Sequence, residues 1–242
     1  MIVVESETSF LLITQPDHAH FSGELLGLWW ADGIPEHPRR SDLVFAAREH
    51  DNGWRETDAA PRWDRERNRP YDFLTTSREE RIEIWQRGTA RFAGERPYAA
   101  LLITHHALQL HRDRRDLEGW GDFLEYLEEL EQGLIEATGA APEELAADYR
   151  LLDLADLISL AACNQWSQPF GRSFGSQGVR GSFRDGTVFL DPLPLAGATT
   201  FQVPCRRIPR RVYSGDADLG GELATARWQE MKVRVAALSS GP

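Results

Sequence analysis

The chain opens on two short β-rich runs, changes to helical periodicity, and changes character again after Asn164. Residues 1–4 and 10–14 are apolar runs separated by the polar stretch 5–9, so the first fifteen residues predict a hairpin. Asp17, with Pro16 before it, is placed to cap a helix to about Trp30, with His18, Phe21, Leu25, Leu28 and Trp29 on one face. A breaker cluster follows at 31–35, and Ser41 is placed to cap a second helix that ends near His50-Asp51. Residues 58–70 are charged, contain two prolines and have no period, so they read as a long loop of the kind that often carries function. Ser77 and Glu80 form a capping box for a third helix to about Phe92, and Pro97 fits the first turn of a fourth, 98–111. An acidic amphipathic helix is expected over 119–137 and a sixth from Pro142 through Cys163. Beyond it, Gly171, Gly175, Gly178, Gly181 and Gly186 punctuate short runs. Residues 187–190, 200–203 and 228–238 read as strands, and a short helix fits 218–225. The pattern predicts a helical body with a small antiparallel sheet pairing the two chain ends.

Composition narrows the partners. The 242 residues suffice for one large domain or a domain with an appendage, and 41% hydrophobic residues support a sizeable core. A net charge of −11 disfavours nucleic acid and anionic membrane. No apolar run reaches membrane-spanning length and no secretory signal opens the sequence. Cys163 and Cys205 match no zinc-finger spacing, so a reduced, cytoplasmic protein is expected. The eight tryptophans read as core and pocket wall.

The candidate chemistry lies in histidine and aspartate. His50 and Asp51, adjacent in sequence, can grip one metal ion from a single turn of backbone. Taken alone, the dipeptide is weak. Asp156 falls in the middle of the apolar stripe Leu145, Tyr149, Leu152, Ser159, Cys163, where an ionised carboxylate is costly unless paired or metal-bound. Alone, it would more often be a buried Asp bonded to an Arg or a helix end. Asp153 is nearer the stripe's edge, and Asp148 is expected to reach solvent. His18 is on an apolar face, where a lone His is usually a core or capping residue. His105 and His106 line up with different apolar sets, so one faces a site and the other packs or meets solvent. His37 and His111 read as surface. Together these residues bring imidazole and carboxylate to the inward faces of three helices and the end of a fourth, without a cysteine. That donor set suits a catalytic Fe, Mn, Ni, Co, Zn or Mg ion rather than a closed structural site. Arg48 and Arg55 flank the pair and could hold a phosphate, although pairing with surface carboxylates is favoured. Gln15 and Asp17 are placed to orient His18. Asp72 could enter the site from the loop or be solvated.

The series His18, His50-Asp51, Asp156 resembles the HD superfamily of metal-dependent phosphohydrolases. Gln15-Pro16-Asp17-His18, Glu49-His50-Asp51-Asn52-Gly53-Trp54, Arg69-Pro70-Tyr71-Asp72-Phe73 and Asp156-Leu157-Ile158-Ser159-Leu160 are similar, over nearly the whole chain, to a bacterial family of unknown function (DUF 3891 type). The resemblance implies a mainly α (α+β) fold, an HD-like helical bundle with a small antiparallel β-sheet from the N- and C-terminal segments. The expected division is a hairpin at 1–15 joining the C-terminal sheet, a helical domain at 16–165 and a β-rich extension at 166–242. The implied ligands of one or two divalent ions (Mn, Fe, Ni, Co or Mg) are His18, His50, Asp51 and Asp156. The family pattern favours His106 over His105 as a further ligand, and the doubled His leaves that choice open. Asp51 and His106 would handle protons. The implied activity is hydrolysis of a small phosphoester or nucleotide-like substrate; the alternative is a non-catalytic ligand-binding or regulatory module. The expected partner is a small phosphorylated molecule, and a homodimer is compatible with paired chain ends.

Overall fold

A computed structural model of the chain describes residues 1–31, 33–174 and 177–238. Its elements run β1 (Ile2–Glu5), β2 (Ser9–Ile13), α1 (Gln15–Gly27), α2 (Arg40–Glu49), α3 (Arg55–Ala59), β3 (Trp63–Asp64), β4 (Arg69–Pro70) and α4 (Arg78–Ala90). Then come α5 (Pro97–His111), α6 (Gly121–Thr138), α7 (Pro142–Cys163), β5 (Phe170–Phe174), β6 (Gln177–Arg184), β7 (Thr187–Asp191), β8 (Thr199–Pro209), α8 (Asp216–Thr225) and β9 (Trp228–Ala237). No helix among the described residues is long and apolar enough to cross a membrane.

Seven strands form one sheet in the order β1-β2-β8-β9-β7-β6-β5. All neighbours are antiparallel except β7 and β9, which run parallel with Val188 opposite Val235. The two chain ends meet within the chain, Ser9 of β2 opposite Pro209 of β8. The expectation of a mainly α, HD-like helical bundle with a small antiparallel sheet is thereby corrected: the chain is an α/β fold around a large, curled, mixed seven-stranded sheet.

Two physical reasons explain the difference. Period-two burial puts Ile2, Leu11 and Ile13 into the main core with α1, α2, α5 and α7, while Val3, Phe10 and Leu12 enter a second cluster with Trp63, Tyr213, Leu219 and Leu223. A sheet covered on both faces needs near-continuous apolar strands, and β2 is buried along its whole length. Three of the glycines after Asn164, Gly171, Gly178 and Gly181, also lie within strands rather than between them. Gly181 sits opposite Phe170 across β5 and β6, and a Cβ there would lie 2.5 Å from the Phe170 ring. The aromatic fills the space that the glycine leaves, a device that supports a glycine-bearing strand. Gly175 lies outside the described residues.

Local starts differ in detail. Thr14, not Asp17, caps α1: its side chain accepts the Asp17 N–H, and Asp17 occupies the first turn. Ser41 lies inside α2, which begins at Arg40. The stretch 58–70 contains the end of α3 and the β3-β4 ladder, with Trp63 opposite Pro70. Helices α1 and α7 bridge helical core and sheet: Phe21 packs on Phe201 with ring centroids 5.0 Å apart, and α7 lies against β5, β6 and β7.

Candidate metal centre

Four elements deliver the site. The Thr14 cap and Pro16 in the first turn start α1 so that Gln15 and His18 point inward, both buried. Helix α2 ends at Glu49, and the backbone then tightens into a 3-10 turn over Asn52–Trp54. Asn52 pins that turn by donating from Nδ2 to the Glu49 carbonyl at 2.8 Å and to the Gly88 carbonyl of α4 at 3.0 Å. Gly53 lets it lie flat on α4, since a Cβ there would stand 2.1 Å from the Ile84 carbonyl oxygen. His50 and Asp51 are thus held at a buried corner. Helix α5 contributes His106 and α7 contributes Asp156 and Ser159.

These side chains converge. Ligand-type atoms of His18, His50 and Asp51 lie within 4.8 Å of one another, and so do those of His50, His106 and Asp156. The two groups share His50. His18 Nε2 is 2.8 Å from Asp51 Oδ2, which also accepts from Gln15 Nε2 at 3.0 Å. His50 Nε2 is 3.3 Å from Asp156 Oδ1 and 3.7 Å from Asp51 Oδ2, and His106 Nε2 is 4.0 Å from Asp156 Oδ2.

Counting protons shows what the cluster lacks. His50 Nδ1 is 2.8 Å from the Ala47 carbonyl, which only accepts, so Nδ1 carries a proton, and in the neutral ring Nε2 carries a lone pair. Ser22 donates to Ser159 at 2.8 Å, and Ser159 donates to the Asp156 carbonyl at 2.9 Å. His18 Nδ1, 2.8 Å from Ser159 Oγ, is then the donor there, and His18 Nε2 also turns a lone pair to a carboxylate. His50 Nε2 and Asp156 Oδ1 are both buried without a hydrogen-bond partner. Buried acceptors facing acceptors are costly unless a cation lies between them. A proton on His50 Nε2 would supply one positive charge there. Either group, His18, His50 and Asp51 or His50, His106 and Asp156, could hold a metal ion, and the donor set fits one.

The electrostatics show the same demand for positive charge among the carboxylates, which a proton on His50 Nε2 meets where no ion is bound. Burial resists charge on His50, but Asp51 and Asp156 outweigh it and push its pKa up to about 9. Burial works against ionised Asp51 and Asp156 too, yet the imidazoles, His50 foremost, hold both below the usual carboxylate range. Burial and then the neighbouring His50 push His106 down to about 4. Such opposed shifts within one cleft are typical of functional sites.

Other candidates fall elsewhere. His105 turns to Glu131, with Nδ1 2.6 Å from Oε1. Arg55 pairs with Glu49. Asp72 is consumed by its own turn, accepting from Arg69, Leu74 N and Thr75. His111, expected at the surface, is buried against Trp120 with a ring separation of 5.1 Å. Asp148, expected near solvent, is buried between Tyr98 OH and His37 Nε2, a separate knot that ties α5 and α7 to the loop before α2. Cys163 and Cys205 are buried and free.

Periodicity passed over several residues of the site. Ser159 had a signal, one turn from Asp156 on the same stripe. Arg81, Arg114 and Trp85 had none. They line a cleft of about 210 Å³ whose floor includes His50, Asp51, His106 and Asp156, and they come from α4 and the loop after α5.

The fold and this corner define an α/β protein with a buried His/Asp cluster able to hold metal. Over residues 1–210 the chain matches the family described as protein of unknown function (DUF3891), and it belongs to that family. No curated protein and no solved structure matches it.

Proposed function

We propose that the protein is a metal-dependent phosphohydrolase with the ligand order of the HD superfamily, acting on a small phosphoester. His18, His50, Asp51, His106 and Asp156 hold its divalent ion or ions. One observation carries this reading: the buried, partnerless His50 Nε2 and Asp156 Oδ1 face each other at 3.3 Å. Imidazole and carboxylate without thiolate suit Mn, Fe, Ni, Co or Mg. Such an ion, when bound, polarises a phosphoryl oxygen and lowers the pKa of neighbouring water.

The chain's own groups divide the remaining work. Gln15 Nε2 donates to Oδ2 of Asp51 at 3.0 Å and fixes that carboxylate. Ser159 fixes the tautomer of His18. Asp51 stays ionised and His106 stays uncharged near neutral pH, so both offer lone pairs to an ion without first shedding a proton. Trp85 and Leu160 line the cleft beside them and keep bulk water back.

Elemental analysis of protein kept from chelators and nickel columns tests the reading. The wild type should carry metal, and His50→Ala with Asp51→Ala should lose it. Ser159→Ala should weaken metal binding by about ten- to a hundredfold, the usual effect of removing a partner behind a ligand. Phosphatase turnover should stop on chelation. A wild-type protein that carries no metal and takes up none from Mn, Fe or Ni would refute the proposal. Metal binding and thermal stabilisation by a phosphorylated ligand without turnover would favour a non-catalytic ligand-binding module.

A further inference from the structure

The cleft above the metal cluster has an unusual charge pattern for so acidic a chain. Its lining contains two carboxylates, Asp51 and Asp156, and two guanidiniums, Arg81 and Arg114. Many arginines elsewhere pair with a carboxylate, as Arg39, Arg55, Arg87 and Arg172 do, and these two form no such pair among the described residues. Arg81 donates to the carbonyls of Phe73, Leu74 and Thr76, and Arg114 lies over the Trp120 ring, 4.8 Å from its centroid. Burial and then the nearby Arg114 both press the pKa of Arg81 downward, so the pair is held together against its own repulsion. A divalent ion would cancel the two carboxylates and leave two positive charges unanswered. Trp54, on the same wall, adds a buried indole N–H that has no acceptor. Unpaired donors and cations around one cavity call for an anion with several oxygens.

The rim is of the opposite character. Leu74 and Leu110 line the same cleft yet are 68% and 49% exposed. Large apolar side chains left open at the mouth of a polar cavity fit an apolar group on the ligand. The cavity, at about 210 Å³, is below the roughly 300–1,000 Å³ of pockets that take drug-sized ligands.

We propose that Arg81 and Arg114 clamp the dianionic head of a phosphomonoester whose alcohol is small and apolar or aromatic, with Leu74 and Leu110 holding the alcohol at the rim. This rests on the metal-dependent phosphohydrolase reading and names its substrate class. Hydrolysis then balances simply. A water oxygen bonds to phosphorus, the ester P–O bond breaks, the leaving oxygen takes a proton, and inorganic phosphate and the alcohol result. A monoester is favoured over a diester because it carries close to two negative charges at neutral pH.

Phenylphosphonate, which cannot be hydrolysed at its C–P bond, is the probe, titrated by calorimetry into Mn-loaded wild-type protein with the Mn content of each sample measured. It should bind about tenfold or more tightly than methylphosphonate, the same head without the ring. It should also bind more tightly than adenosine 5′-monophosphate, which exceeds the cleft. Arg114→Gln should weaken it by about ten- to a hundredfold with Mn content unchanged. Leu74→Ser with Leu110→Ser should abolish the preference for the phenyl over the methyl ligand. Equal affinity for the two phosphonates, tighter binding of the nucleotide, or an Arg114→Gln protein that binds as wild type would overturn the proposal. The two readings fail separately. Protein that holds Mn but no phosphonate sinks the substrate assignment alone. Protein that holds no Mn, yet binds phenylphosphonate in an Arg114-dependent way, sinks the metal centre and keeps the clamp.

Discussion

At the scale of single residues, burial decides what each histidine does. His50 is buried between two carboxylates and is driven toward charge; His111 is buried among rings and cations and is driven away from it. His111 Nδ1 donates to the Ala107 carbonyl at 2.7 Å, and Trp120 stacks on the ring. Burial, with Arg114 and Arg81 adding to it, holds the pKa of His111 down at about 4. In the unfolded chain the same imidazole titrates near 6.5. Between those values the unfolded state binds more protons, so acid favours unfolding. The stability His111 permits is complete above about pH 6.5 and is lost as pH falls through 4, by roughly 3 kcal/mol. Urea unfolding in chelator across this range should show the decline, and His111→Phe, which keeps the packing and cannot titrate, should flatten it. The decline should not vanish, because His106 is shifted the same way. If His111→Phe falls as steeply as wild type, the imidazole at 111 is not what acid attacks.

At the scale of elements, the run His50-Asp51-Asn52-Gly53-Trp54 is a docking device as much as a ligand pair. Asn52 ties the turn to α4, and Gly53 admits the Ile84 carbonyl where any side chain would collide. Gly53→Ala should therefore destabilise by about 1–3 kcal/mol or more, because the obstacle is backbone. Gly94→Ala meets nothing within 4 Å and should stay within about 0.5 kcal/mol of wild type. Equal denaturation midpoints for the two variants would contradict this account of the turn. Local signals revealed elements where the structure satisfies them locally. Ser77 Oγ does accept the Glu80 N–H to start α4, and Pro97 and Pro142 do open α5 and α7. Helical period put His18 and Asp156 on inward faces, and both are buried. What failed were features completed from a distance. Gly181 reads as a break until Phe170 lies across it, and no local signal brings Arg81 and Arg114 to one cleft. Asp148 looked solvated because neither Tyr98 nor His37 is near it in sequence.

At the scale of the molecule, the sheet closes in an order the chain does not follow. The family match ends at residue 210, one residue past β8, yet β9 at Trp228–Ala237 lies between β8 and β7 in the middle of the sheet. It pairs with β8 over eight positions, from Thr199 opposite Val235 to Arg206 opposite Trp228, and on its other edge it makes the parallel pairing to β7. Without it, β5-β6-β7 has no bond to β1-β2-β8, and the buried Phe201, Val203, Val188 and Leu190 lose the Val233 and Val235 against which they pack. Removing α8 with it also uncovers Phe10, Leu12 and Ile208, which share a cluster with Leu219 and Leu223. Helices α1 and α7 rest on these two halves of the sheet, and they carry His18 and Asp156. A chain stopped after residue 210 should therefore lose more than a peripheral hairpin. It should show no cooperative unfolding transition, should expose hydrophobic surface to dye, and should fail to hold metal, although every candidate ligand remains in its sequence. Adding the segment 211–242 in trans as a peptide should restore part of the transition if the missing middle strand is the cause. A truncated protein that unfolds cooperatively near the wild-type midpoint would mean that the helical body folds without the sheet, and that the metal corner is built by helices alone.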